Sequence, residues 1–155
     1  IEMSRKDTEE FERLYRAYQT EISLGEGVEE FLDYCKAHNI FIAILTNGRP
    51  KSQYAKVIAL DLHRWFDDDH IFISGGIGYQ KPDPMAFQYI EKMFSLNPEE
   101  TWYIGDTYEA DVVGADGAGW HTVWFNHRNR ERLENCADVT VRSIEELSRF
   151  IKERS

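Results

Sequence analysis

Two acidic side chains in the second half of the chain have a spacing that suits a metal site. Asp106 follows an apolar run, 102–104, directly after Gly105, and Asp111 lies five residues further on. If Asp106 ends a strand and Asp111 lies in the first turn of the next helix, both carboxylates can approach one point. Mg²⁺ prefers one or two protein carboxylates, with water and phosphate oxygens completing an octahedron. The alternative is that the two acids only stabilise the start of the helix, since acidic side chains favour the positive end of a helix dipole.

A hydroxyl and two backbone amides follow a second apolar run. Thr46 directly follows the apolar run 40–45, and Asn47 and Gly48 come next. The hydroxyl of Thr46 can donate to a phosphate oxygen, with the N–H groups of Asn47 and Gly48 nearby. Taken alone, Thr46 has a simpler interpretation, as the cap of the helix that follows.

A lysine stands before two closely spaced prolines, in the segment Lys81-Pro82-Asp83-Pro84. The prolines restrict the local backbone, and a residue before proline is kept extended. A lysine held in this way can place an ammonium group that neutralises phosphate charge. The alternative is a surface lysine on a stiff loop.

The elements that must position these groups alternate along the chain. Apolar residues at helical spacing predict helices over 7–23, from residue 28 and from residue 50. Short apolar runs predict strands at 40–45, 71–73, 102–104, 121–125 and 139–141. This order predicts an α/β fold, a Rossmann-like parallel sheet with helices on both faces. Ligands of such sheets gather beyond the carboxyl ends of the strands.

Three more helices are predicted from their boundary residues. Asp83 and Pro84 suit the N-cap and first position of a helix, and a second helix is predicted from about Tyr108 to Ala118. Ser143 and Glu146 form a capping-box pattern at the start of a terminal helix.

The composition excludes several classes of protein. A chain of 155 residues favours one domain, and its net charge of −10 argues against binding to nucleic acid or to an anionic membrane surface. No run of about 18 apolar residues exists, so no membrane span is predicted and a cytoplasmic location is expected. Cys35 and Cys136 lack the spacing of a zinc site, and Cys35 is predicted to be a buried free thiol.

The ordered set of motifs resembles the haloacid dehalogenase-like superfamily. The segments 46–48, 81–84 and 105–111 each follow their own predicted strand in the order typical of that family, and the resemblance covers about residues 8–150. The stretch 114–120 is typical of the subgroup in which a helical cap is inserted after the first strand. Each motif alone is weak, whereas the ordered set is specific.

The resemblance implies a role for each candidate residue. Thr46 stands where the family binds phosphate, and Lys81 corresponds to the family's lysine. Asp106 corresponds to the acid that binds Mg²⁺, and Asp111 to a second acid that ligates the metal or orients its shell. The implied function is a Mg²⁺-dependent phosphomonoester hydrolase that forms an aspartyl phosphate and acts on a small phosphorylated metabolite.

The family's reaction also needs an Asp-x-Asp motif at the end of the first strand. There the first Asp attacks phosphorus and the second acts as general acid and base. Asp7 precedes Thr8, but no apolar strand leads into it or into any such motif. We therefore predict that residues 1–24 are the last part of the helical cap and that 25–155 are the core without its first strand. The nucleophile is expected upstream of this chain, which is then inactive by itself.

In the family, the nucleophile strand lies between the strands that end at Thr46 and Asp106. Without it, two edges about 10 Å apart would face each other, with buried backbone groups unpaired. Three explanations stay open: a longer gene product, a strand supplied by another chain, and direct pairing of the two flanking strands. We favour the first.

Three other functions compete with phosphate hydrolysis. A haloacid dehalogenase needs no metal, and the Gly105-Asp106 motif with Asp111 five residues on speaks against it. A non-catalytic scaffold could keep the fold and lose the nucleophile. A phospho-receiver domain carries its acids before its lysine, the reverse of the order of Lys81 and Asp106. Sugar phosphates, phosphoglycolate and nucleoside monophosphates all stay open as substrates.

Overall fold

A computed structural model describes residues 4–155, which form two compact units that meet in sequence after Gly76. Each unit contains its own parallel sheet. The helices and strands are α1 (Arg5–Glu21), α2 (Val28–Ala37), β1 (Ile44–Thr46), α3 (Pro50–Ala59), β2 (Ile71–Ile73), α4 (Ser74–Ile77), α5 (Pro84–Phe94), β3 (Trp102–Gly105), α6 (Val113–Gly117), β4 (His121–Phe125), β5 (Val139–Val141) and α7 (Ile144–Arg154). The parallel pairing confirms the predicted α/β class.

Helix α1 of the first unit begins with a complete capping box. The side chain of Ser4 accepts from the backbone N–H of Asp7, and the carboxylate of Asp7 accepts from the N–H of Ser4. Two otherwise unpaired N–H groups are satisfied in this way. The helix spans Arg5–Glu21, close to the predicted 7–23.

Polar contacts join α1 to α3. The ammonium of Lys51 pairs with the carboxylates of Asp7 and Glu10 on α1. One turn from the end of α1, the hydroxyl of Tyr18 lies 3.0 Å from that of Ser52. These contacts fix α1 beside the helix that follows Thr46.

The sheet of the first unit has two strands. Ile44–Thr46 pairs in parallel with Ile71–Ile73, so the ladder occupies only the end of the predicted strand 40–45. The partner strand has three residues, which limits the ladder to three pairs. Leu32, Trp65 and Phe66 form a buried cluster in this unit, against which Ile44 and Ile71 pack. Thr46 therefore ends a strand, as predicted.

The sheet of the second unit has three parallel strands in the order β3-β4-β5. Gly105, the last residue of β3, is aligned with Trp124 of β4. Helix α5 begins as predicted, because the side chain of Asp83 accepts from the N–H of Met85 and Pro84 occupies the first turn. The Lys81–Pro82 peptide bond is cis.

The segment after β3 differs from the single helix predicted over 108–118. Tyr108–Val112 is a π-helical turn, in which the N–H of Val113 donates to the carbonyl of Tyr108, and α6 follows with five residues. The bond spans five residues, so this turn is wider than an α-helical one. A second hydrogen bond forms at this turn, from the backbone N–H of Thr107 to the carboxylate of Asp111.

The capping box predicted for α7 forms only in part. The N–H of Glu146 donates to the hydroxyl of Ser143 at 3.2 Å, as predicted. The carboxylate of Glu146 accepts instead from the N–H of Arg142, at 2.8 Å. The acid thus satisfies the amide one residue before the cap.

Strand β1 pairs with β2, and β3 pairs with β4. The three explanations for the missing first strand all stay open. Cys35 is buried and free, which confirms its prediction. None of the described helices is both long and apolar enough to cross a membrane.

Candidate functional site

Thr46 lies at the carboxyl end of β1, where its hydroxyl is held from one side. The amide nitrogen of Gln53, on α3, donates to the Thr46 hydroxyl oxygen at 2.6 Å. A hydroxyl group carries both a donor and acceptor lone pairs. The contact with Gln53 uses an acceptor position, so the O–H of Thr46 remains a donor.

The loop after Thr46 is closed by bonds to the segment that follows β2. The N–H of Gly48 donates to the hydroxyl of Ser74 at 2.9 Å, and the N–H of Gly75 donates to the carbonyl of Gly48 at 3.1 Å. Gly48 has φ +149°, and a Cβ there would lie 2.7 Å from the side chain of Gln53. The Gly48 N–H, predicted to face phosphate, is therefore engaged by Ser74 in this structure.

In the second unit, Lys81 makes a buried ion pair. Its ammonium donates to Asp111 at 2.6 Å and to the hydroxyl of Tyr103 at 3.0 Å. The side chains of Lys81 and Asp111 are only 11% and 6% exposed. Burial lowers the pKa of Lys81, but Tyr103 and Asp111 outweigh it and hold the pKa above its ordinary value. The ammonium therefore stays charged near neutral pH.

Both oxygens of Asp111 are occupied. One accepts from Lys81, and the other accepts from the N–H of Thr107 at 3.0 Å. The carboxylate reaches this place by lying against Gly105, where an added Cβ would overlap it. Asp111 thus anchors the ammonium in this structure, and the two metal-related roles that the resemblance implies for it stay predictions.

Asp106 is more open to solvent, with a side chain 44% exposed. One of its oxygens lies 3.2 Å from Nε2 of His127, and the other accepts from the hydroxyl of Thr107 at 3.3 Å. Burial raises the pKa of Asp106, but His127 and the charge of Arg128 lower it by more, so the pKa lies below its ordinary value. Asp106 is therefore a carboxylate at neutral pH.

Asp106 fits a magnesium ligand better than Asp111 does. It is charged and accessible, whereas both oxygens of Asp111 already accept hydrogen bonds. Within residues 4–155, no group of three or more His, Cys, Asp or Glu side chains could hold a metal by itself. One protein carboxylate is compatible with Mg²⁺, which keeps several waters and binds substrate phosphate.

The structure brings Lys81 and Asp111 into contact and places Asp106 beside them through Thr107. All of these residues belong to the second unit, whereas Thr46, with Asn47 and Gly48, belongs to the first. The convergence of Thr46 with the other residues stays a prediction.

The sequence interpretation missed Tyr103 and His127. Tyr103 lies within β3, where an aromatic residue is expected to belong to the core, and only its contact with Lys81 sets it apart. His127 follows the end of β4, the neighbour of β3 in the sheet. The rule that located Asp106 at the carboxyl end of β3 applies equally to His127, so its position was a usable signal.

The comparisons with known proteins agree on one family. A family model for haloacid dehalogenase-like hydrolases matches residues 3–119. The chain is 31% identical over 125 residues to the glyceraldehyde 3-phosphate phosphatase of Pyrococcus furiosus, covering 78% of this chain and 51% of that protein. It is 34% identical over 147 residues to the phosphoserine phosphatase of Thermus thermophilus, covering 94% of this chain and 57% of that protein.

The fold also matches solved structures. A HAD phosphatase from Thermococcus onnurineus superposes with a TM-score of 0.79 at 28% identity, covering 91% of this chain and 64% of that one. The chain spans about half the length of the curated relatives it matches.

Proposed function

The chain belongs to the haloacid dehalogenase-like hydrolases, and from this premise we propose that the protein hydrolyses phosphomonoesters of small metabolites with the help of Mg²⁺. One observation carries the proposal: a buried, charged Lys81, anchored by Asp111, lies in the same unit as an accessible carboxylate on Asp106. The relatives named as phosphatases support the reaction class.

Lys81 binds the substrate phosphate through its ammonium group. Asp111 and Tyr103 accept hydrogen bonds from the ammonium, which fixes its position before a phosphate binds. An ammonium that is already oriented does not have to reorganise when charge develops on the transferred phosphoryl group.

Asp106 would hold the magnesium ion, and His127 would release the carboxylate oxygen that it contacts in this structure. When bound, Mg²⁺ offsets the negative charge of the phosphoryl group during transfer. Thr107 contributes by its position, because its hydroxyl contacts Asp106 and its N–H contacts Asp111. A single residue thus sets the spacing of the two acids.

We infer that the attacking group is the first aspartate of a strand-end Asp-x-Asp motif, as the family resemblance implies. Its carboxylate oxygen attacks phosphorus in line, the alkoxide leaves with a proton from a second acid, and an aspartyl phosphate forms. Water then attacks phosphorus, releases inorganic phosphate and restores the aspartate. The residues of this chain bind and orient the phosphate in both steps.

The test compares the full-length product of the gene with the isolated 155-residue chain. p-Nitrophenyl phosphate is supplied with and without Mg²⁺, and release of nitrophenol is followed. We expect Mg²⁺-dependent turnover by the full product and none by residues 1–155 alone. Turnover by the isolated chain would refute the external nucleophile. Metal-independent release of halide from 2-chloropropionate would identify a dehalogenase instead.

Asp106→Asn provides the matched variant. It keeps the shape of the side chain and removes the charge that Mg²⁺ needs, so turnover and the Mg²⁺ response should both be lost. Asp116→Asn serves as the control, since Asp116 is an exposed acid on α6. Equal activity of the two variants would count against Asp106 as the metal ligand.

A further inference from the structure

We propose that Arg128 recognises a second anionic group on the substrate, so that the preferred phosphomonoesters carry a carboxylate or another phosphate on their organic part. This inference rests on the proposed phosphatase function. It assigns a specificity-determining residue to a loop of the second unit.

The turn that presents Arg128 is fixed by a buried side chain. The amide of Asn126, which is 3% exposed, donates to the carbonyl of Arg130 at 2.9 Å and accepts from the N–H of Arg130 at 2.9 Å. The N–H of Asn129 also donates to the carbonyl of Asn126 at 3.2 Å. Arg128 is a central residue of this hydrogen-bonded turn, so its backbone is held in place before any ligand binds.

The same turn lies beside the expected metal ligand. Its other central residue, His127, contacts the carboxylate of Asp106 at 3.2 Å. The indole N–H of Trp124, near the end of β4, donates to the carbonyl of Asp106 at 3.3 Å. Arg128 follows His127 directly in the same turn. A phosphate bound at Asp106 would therefore lie beside the turn that carries this guanidinium.

Arg128 has no structural task of its own within residues 4–155. Its side chain is exposed and makes no hydrogen bond or ion pair with any of them. Arg132 of the same loop is different: its guanidinium lies 3.7 Å from the ring centroid of Tyr108 and donates to Glu109 at 2.7 Å. Of the three arginines in this loop, Arg132 packs against the protein, whereas Arg128 and Arg130 are exposed. Arg128 is the one that directly follows His127, the residue in contact with Asp106.

The chemistry of the guanidinium selects the ligand class. Arginine binds carboxylates and phosphates through two parallel hydrogen bonds, and its charge persists at every physiological pH. The chain carries a net charge of −10, so a substrate with two anionic groups meets general repulsion and gains from a local cation. A phosphomonoester whose organic part is neutral has no second anionic group for Arg128 to bind.

The experiment uses the full-length gene product with Mg²⁺ and a pair of substrates that differ in one group. Phosphoglycolate carries a carboxylate, and 2-hydroxyethyl phosphate has a hydroxymethyl group in its place. In Arg128→Gln, we expect kcat/KM for phosphoglycolate to fall about tenfold to hundredfold, mainly through KM, as for loss of a charged hydrogen bond. The value for 2-hydroxyethyl phosphate should stay within about twofold. Arg128→Lys should retain part of the preference.

Two further measurements ask which anionic group Arg128 prefers and whether its effect is on binding rather than on turnover. Ethylene glycol bisphosphate replaces the carboxylate by a second phosphate, and the larger loss identifies the preferred group. Phosphonoacetate cannot be hydrolysed, so calorimetry should show that its binding weakens in Arg128→Gln while that of methylphosphonate does not. Arg149→Gln, at an exposed arginine of α7, is the control and should match the wild type.

Two results would overturn the inference alone: equal losses on both substrates of the pair, or no loss on either. The first would make Arg128 a general support of Asp106, and the second would make it a solvated surface residue. A wild-type protein without Mg²⁺-dependent activity on any phosphomonoester would overturn the proposed function and this inference with it.

Discussion

The ammonium of Lys81 lies 2.6 Å from the carboxylate of Asp111, and both side chains are largely buried. Each group therefore depends on the other. A buried charge that loses its partner retains the cost of desolvation without the attraction that offset it. The pair is at once the means of presenting an ammonium to phosphate and a structural element of the second unit.

Lys81→Met should destabilise the protein and abolish phosphatase activity. The variant leaves the Asp111 carboxylate buried without its cation, which costs about 3–5 kcal/mol in comparable pairs. Urea unfolding followed by far-UV circular dichroism measures the change. Lys92→Met, at an exposed lysine of α5, is the control and should lie within about 0.5 kcal/mol of wild type.

A double variant separates the charge effect from the loss of packing. If the penalty of Lys81→Met comes from the isolated carboxylate, Lys81→Met combined with Asp111→Leu should recover part of it. The activity should not return, because the ammonium is gone. Additive losses in the double variant would contradict this account of the pair.

Gly105→Ala should be more disruptive than its small volume suggests. A Cβ at this position would overlap the side chain of Asp111, whereas a Cβ at Gly76 would meet nothing within 4 Å. Overpacking of this kind costs about 1–3 kcal/mol. We expect a lower unfolding midpoint and lower activity for Gly105→Ala, and wild-type behaviour for Gly76→Ala. Equal stability of the two variants would show that Asp111 can move aside freely.

Because Tyr103 is buried, we expect the free energy of unfolding to fall at alkaline pH. Burial raises the pKa of Tyr103 to about 12, against an ordinary value of 10.0. Between these two pH values the unfolded chain releases the phenolic proton while the folded protein retains it. The stabilising effect is therefore complete below pH 10 and is lost as the pH rises to about 12, by up to about 2–3 kcal/mol.

Tyr103→Phe isolates this contribution. Urea unfolding at intervals between pH 8 and 12 should show a shallower decline in the variant than in the wild type. Other tyrosines affect both proteins alike, so the difference between the two curves reports on Tyr103. Parallel curves would mean that this phenol titrates normally in the folded state.

Ser74→Ala tests the loop after β1. The N–H of Gly48 would lose the hydroxyl that accepts from it at 2.9 Å, in a place where Ser74 is only 7% exposed. Gly48 is exposed, so water can accept from the freed N–H, and the loss should be about 0.5–1.5 kcal/mol. Amide exchange at Gly48 should accelerate relative to Ala55, which lies in the core of the same unit. Unchanged exchange at Gly48 would exclude this role.

Much of the architecture follows from local patterns. The strand that ends at Thr46 and the strand that precedes Asp106 were predictable from apolar runs, and the start of α5 from Asp83 and Pro84. These features depend on neighbouring residues, so periodicity and capping chemistry suffice. The nearness of Asp106 and Asp111 is also local, because both follow β3 within six residues.

The remaining features depend on contacts between distant residues. The pairing of Lys81 with Asp111 spans thirty positions and requires a π-helical turn for which the sequence has no local signal. The hydrogen bond between Lys81 and Tyr103 depends on which face of β3 is turned toward the lysine. The length of β1 is set by its partner rather than by the apolar run 40–45.

The π-helical turn at Tyr108–Val112 makes the segment between β3 and α6 intolerant of changes in length. Deleting one residue there would favour an ordinary α-helical turn and rotate the Asp111 side chain away from both the lysine and the Thr107 amide. The number of residues in that short stretch is therefore constrained by geometry, separately from the side chains of Asp106 and Asp111 that it carries.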